Sequence, residues 1–219
     1  MPKVGLPPQH EWTHRSAAYD AIAAALAAAA HPSYSTTLLD IHLHGLLQEL
    51  QTGVYHKSHY AHYCGSSSKA ITANQLYACP FLIARNMTAD RIGVEVATLL
   101  TGSLRMGIYA NGTNLYPGAL LLDAGVVDTS TTGLKELTIN LALTRGLIWL
   151  AFVADAAPNL YRVGRESMFN LLGTATTIIT PYATWKVAQT YGALPNPFTA
   201  GGAVDADLWL LGLRFASMD

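Results

Sequence analysis

The residues best equipped for chemistry are histidines, and all eight lie in the first third of the chain (His10, His14, His31, His42, His44, His56, His59 and His62). His42-Leu43-His44 is the sharpest pattern. On a strand the two imidazoles project from one face, and three copies around a three-fold axis would offer an octahedral set suited to iron, zinc or nickel. On a helix they would point about 200° apart and could not share an ion. His56, His59 and His62 recur every third residue among Tyr55, Tyr60 and Tyr63, one stripe if the segment is helical. That stripe could bind a metal or sense pH at an interface, but the plainer reading is a polar, aromatic tether between subunits. Neither group has the HExxH spacing of a metalloprotease.

Two further groups could bind rather than react. The loop from Asn111 through Asn114 to Tyr116 pairs amides with an aromatic ring, a combination suited to glycans. Trp185 and Tyr191, in the less regular stretch 176–197, form a second such group. Nothing comparable points to catalysis. Asp205-Ala206-Asp207 reads as a turn, Ser66-Ser67-Ser68 lacks a nucleophile elbow, and Gly201-Gly202 lacks the strand and helix that flank a phosphate loop. No enzyme is expected, and no cofactor beyond a divalent transition metal at His42 and His44.

Composition narrows the setting. Hydrophobic residues make up 51% of the 219 positions and charged ones only 12%, against roughly 25% for ordinary soluble domains. Either other subunits cover much of the surface, or Thr, Asn, Ser and Gly form it. A net charge of −1 supplies no footprint for nucleic acid or for an anionic membrane. No run approaches the ~18 apolar residues of a membrane helix. The Ala-rich stretch 16–30 has the look of a signal-peptide core, but Asp20 interrupts it and Met1 still heads the chain, so no signal peptide is expected. Cys64 and Cys79 could form one bridge; free thiols, buried or half-buried, are the plainer reading.

The elements that must position these residues fall into two unlike halves. Ahead of residue 65 helix formers dominate. Pro2 to Glu11 reads as an extended arm, and 16–30 as a helix with Tyr19, Ile22, Leu26 and Ala30 on one stripe, ended by His31-Pro32. Over 36–52, Leu39, Leu43, Leu46 and Leu50 follow the 4-3-4 spacing of a heptad seam. Thr37 and Asp40 resemble a capping box, and Gly53 suits the stop. Gly45 would cost that helix about 1 kcal/mol. A strand carrying Leu39, Ile41 and Leu43 on one face is the rival; helix is favoured. These seven apolar residues (Tyr19, Ile22, Leu26, Leu39, Leu43, Leu46, Leu50) are the expected oligomer interface. His42 and His44 share the segment, so the helix reading works against the metal.

Gly65 to Ser68 reads as a linker, and the rest of the chain as strands. Ile92, Val94 and Val96 alternate with polar or small residues. So do Leu104, Met106 and Ile108, and again Leu137, Ile139, Leu141 and Leu143. Asn111-Gly112, Tyr116-Pro117-Gly118 and 129–133 mark turns. The run 146–153 is apolar on both faces and should be a central strand. Further strands are expected near 75–83, 119–127, 161–164 and 207–215. Roughly seven to nine short strands with no helix between them indicate a mainly β domain over 66–219. The expected architecture is an antiparallel, jelly-roll-like β-sandwich behind a short α-helical anchor and trimerisation segment over 1–65.

Gln75 to Phe81, Asp90 to Val94, Leu104 to Tyr109 and Tyr116-Pro117-Gly118, with Gly133 to Glu136 and Leu147 to Ala151, are similar in content and order to a β-domain of tailed-bacteriophage structural proteins. The resemblance spans roughly residues 70–155, and the first 65 residues match no family. It implies a virion tail-fibre or receptor-binding appendage, usually a homotrimer, attached through its N-terminal segment to other tail or capsid proteins. The outward β-domain would meet a host surface or glycan. A head fibre or capsid decoration protein fits the same likeness, and a free carbohydrate-binding lectin is the rival from another class.

Overall fold

The computed structural model describes residues 52–57, 66–163, 171–173 and 180–218. Residues Gln51–Asp219 form a unit of their own. Its described residues are mainly β and almost without helix. Its strands are, in chain order, β1 (Tyr55–Lys57), β2 (Ser66–Ala70), β3 (Gln75–Ile83), β4 (Met87–Thr98), β5 (Ser103–Asn111), β6 (Pro117–Asp128) and β7 (Gly133–Leu143). There follow β8 (Gly146–Ala154), β9 (Asn159–Val163), β10 (Thr184–Ala188), β11 (Ala203–Asp205), β12 (Leu208–Trp209) and β13 (Leu211–Met218). The helix among the described residues is a single 3-10 turn, Thr113–Leu115.

The strands make two antiparallel sheets. One runs β11-β10-β3-β8-β5-β6. In the other, β4 carries β7 along one edge and β13 followed by β9 along the other, with β1 beyond β13 and with β2 and β12 on β9. β8 lies between β3 and β5, as its apolar run requires: seven of its nine residues are buried.

Alternation puts Tyr77 and Phe152 of the six-stranded sheet against Trp209 of the other, with ring centroids 5.5 and 6.1 Å apart. Phe81 meets Phe215 in the same way. The shared core therefore lies between the sheets. At one margin the chain crosses from β11 to β12, and there Asp207 takes both Lys69 and Arg162 at 2.6 Å. Such a half-buried triad holds position more than it adds net stability, because desolvation offsets most of the attraction.

The opposite face of the six-stranded sheet is also buried. Leu76, Ala78, Tyr109, Trp149, Ala151 and Val153 project there, covered by Leu194 and Phe198 from the β10–β11 connection. That connection, residues 189–202, is a strap tied down by backbone and side-chain bonds. Asn74 receives Gln189 N and Tyr191 N, and Asp123 receives Leu194 N. Tyr109 Oη donates to Pro195 O, and Asn196 Oδ1 accepts from Leu120 N. A Cβ on Gly107 would fall 2.2 Å from Leu194, so glycine there lets the strap lie flat on the sheet.

Several expectations need correction. Ser66 to Ser68 is strand rather than linker, because β9 supplies the backbone partners that the serines do not advertise. Thr184–Ala188, within the stretch read as less regular, is a strand paired with β3 and β11. β1 lies ahead of the expected boundary at 65/66 and pairs with β13, so the β unit takes in residues assigned to the anchor. His56 sits on that strand, its ring 5.8 Å from Phe215, and not on a helical stripe. The helices expected over 16–30 and 36–52, with Tyr19, Ile22, Leu26, Leu39, Leu43, Leu46, Leu50, His42 and His44, lie outside the described residues. So do His59, His62 and Cys64.

Candidate functional site

The site begins at the end of β5. Gly112 N donates to Tyr116 O at 2.7 Å and Tyr116 N to Thr113 O at 3.0 Å, which folds 112–116 into a tight loop. Gly112 and Gly118 face each other across it, and a Cβ on Gly112 would come within 2.8 Å of Tyr116 O. Asn114 and Leu115 both adopt left-handed backbone angles, with φ of 54° and 55°. Asn accepts that conformation readily; a bulky Leu does not, and strain of this kind persists only where neighbours hold it. The holder is Trp185, whose Nε1 donates to Leu115 O at 2.7 Å.

Trp185 stands on β10 opposite Ala78 of β3, a small neighbour that leaves room for the indole. Tyr116 meets it edge to face, centroids 4.9 Å apart at 67°, and meets Phe198 likewise at 5.6 Å. Tyr116 Oη donates to Thr199 O at 2.6 Å and accepts from Gly202 N at 2.9 Å, so the strap closes against the ring. A side chain on Gly202 would strike that hydroxyl at 2.6 Å. The result is a shallow, open depression of about 340 Å³ lined by Thr113, Asn114, Tyr116, Trp185, Ala200 and Gly201.

The two separate binding groups read from the sequence thus become one place. Asn114, Tyr116 and Trp185 all line it. Asn111 and Tyr191 do not. Asn111 Oδ1 accepts from Trp149 Nε1 at 3.0 Å, and Tyr191 packs against the core beneath the strap. Thr113, Ala200 and Gly201 are the lining residues that sequence reasoning missed. Thr113 lies inside the 111–116 loop already singled out, while Ala200 and Gly201 had only the Gly201-Gly202 pair as a signal, which reads as a loop.

Asp90, Asp123, Asp205 and Asp207 are each engaged in ion pairs. Arg214 grips Asp90 with two bonds, 3.0 and 2.6 Å, and holds its carboxyl below the usual carboxylate range. Arg105 pairs with Asp123 at 2.7 Å beneath the strap. Asp205 and Asp207 are not an acid pair: Lys186 takes the first, and Lys69 and Arg162 the second. Asp207 N lies 3.4 Å from Asp205 Oδ1, in keeping with the expected turn. Cys79 is a free thiol between the sheets, pushed up to about 12 by burial. Burial likewise raises the phenols of Tyr55 and Tyr109. Among the described residues no three His, Cys, Asp or Glu side chains gather to hold a metal ion.

No protein-family model matches this chain, and no curated protein matches it. Among solved structures it is similar to the crystal structure of the cysteine protease and lectin-like domains of Cwp84, a surface layer associated protein of Clostridium difficile. The identity is 11% and the TM-score 0.38, over 67% of this chain and 36% of that one. So remote a likeness carries no conclusion about fold or activity.

Proposed function

We propose that this chain is a non-enzymatic structural protein of the tailed-phage virion type, whose β unit recognises a host-surface glycan in the Tyr116–Trp185 depression. The β unit is then a jelly-roll-like β-sandwich, and the N-terminal segment attaches it to other virion proteins as a homotrimer. The observation that carries recognition is convergence. Tyr116 and Trp185 come from β-strand ends 69 positions apart in the chain, yet share one open depression with an exposed amide, Asn114. Support for the virion setting is the likeness of the β-strand sequences to phage structural β-domains, together with a charged fraction of only 12%. The ion pairs of Asp90, Asp123, Asp205 and Asp207 favour a structural over a hydrolytic use of those carboxylates.

The test is binding of the full chain to surface glycans of bacterial cells, read on a glycan array and by cell pull-down, with mass in solution measured in parallel. Saturable carbohydrate binding by a trimer is expected. A monomer would remove the trimeric assembly, and absence of binding to any glycan would remove the recognition role.

A further inference from the structure

Building on that recognition reading, we infer that the depression takes a neutral saccharide ring, stacked on aromatic carbon and oriented by Asn114 and Thr113. Both rings have their polar ends occupied. Tyr116 Oη is held between Thr199 O and Gly202 N, and Trp185 Nε1 is given to Leu115 O. What they offer a ligand is therefore carbon, which suits the C–H face of a pyranose rather than its hydroxyl edge. The hydroxyl edge needs groups that both donate and accept. The carboxamide of Asn114 does both, as does the hydroxyl of Thr113. Both residues are exposed, and neither side chain has a hydrogen-bond partner among the described residues.

Charge sets the ligand class. Thr113, Asn114, Tyr116, Trp185, Ala200 and Gly201 include no cation and no carboxylate. The neighbouring Lys186 alternates to the other side of β10 and is paired with Asp205 at 3.5 Å. A uronate, sialate or sulfated sugar would therefore bring an anion that meets no cation among the described lining residues, whereas recognition of such groups ordinarily employs Arg or Lys. A shallow depression also leaves one face of the ring in water, which fits a terminal residue or one unit of a chain bound repeatedly by several copies.

The experiment titrates the full chain with neutral oligosaccharides of glucose, galactose and N-acetylglucosamine, and with sialyllactose, oligogalacturonate and a heparin disaccharide. Saturation-transfer NMR and tryptophan fluorescence provide the readouts. Binding of at least one neutral series is expected, with an affinity that changes less than about twofold as salt rises past the point where the Debye length falls to ~3 Å. Asn114→Gly keeps the left-handed backbone while deleting the amide; it should weaken that binding about tenfold, and Thr113→Val less. Preference for acidic sugars with steep salt dependence would overturn neutrality and leave glycan recognition standing. Neutral binding untouched by both substitutions would place the site elsewhere and overturn the inference. No carbohydrate binding of either kind would overturn both readings.

Discussion

The outer face of the six-stranded sheet and the margin formed by β6 and β7 are written in similar apolar alternation, but end differently. Under the strap, Tyr109 and Trp149 have no exposed surface. Along β7 the same pattern leaves Leu137, Ile139 and Leu141 only half-buried, and Leu134 is 53% exposed. Among the described residues β6 and β7 each end a sheet, with no further described strand beyond either of them at this margin. Alternation therefore states that a face has an apolar destination. It does not state whether this unit supplies the cover.

That contrast can be broken or sharpened. A reference for full burial lies between the sheets, where the largest effect is expected. In a chain carrying Cys64→Ser, Cys79 should react with a disulfide reagent at neutral pH on the order of a thousandfold more slowly folded than unfolded. Because its ionisation is raised from 9.0 to about 12, the folded state binds this proton more tightly. The stability contributed by the neutral thiol is present below pH 9 and lost as pH rises toward 12. Rapid reaction of the folded chain would show that the core opens readily.

Next in size, Trp149→Ala should cost about 3–5 kcal/mol in urea unfolding, since it empties the space beneath the strap and strips Asn111 of its donor. Ile139→Ala, at the half-covered margin, should cost about 1–2 kcal/mol. Equal costs would erase the distinction. Tyr116→Phe removes the hydroxyl between Thr199 O and Gly202 N and should cost about 1–2 kcal/mol, with faster amide exchange at Gly202. Unchanged exchange would mean the strap does not depend on that bond. Smallest of all, Leu134→Ser should shift stability by no more than about 0.5 kcal/mol. A larger loss would mean that the margin is covered in solution.

Much of the fold was legible where side-chain period and turn chemistry agreed. The alternation of β4, β5 and β7, the turn at Asn111-Gly112 and the doubly apolar β8 all stood in the text. β2 did not, because its pairing with β9 runs through the backbone and Ser-Ser-Ser carries no packing signal. β10 was hidden by its shortness and by Lys186 at its middle. The site was half legible. Residue types near 111–116 and at Trp185 suggested binding, but their union did not, and Asn111 was claimed by Trp149 instead.

By itself the sequence determined that the chain beyond residue 65 would be β, which of its faces were apolar, and which loops carried amides and rings. Those are local properties, set by period and residue type. Only the tertiary structure decided that the strap returns to seat Gly202 on Tyr116 and that Trp185 arrives at Leu115, because contacts between residues 86 and 70 positions apart depend on strand order and register. The histidine pair His42 and His44 lies outside the described residues, while the binding groups became a site through folding.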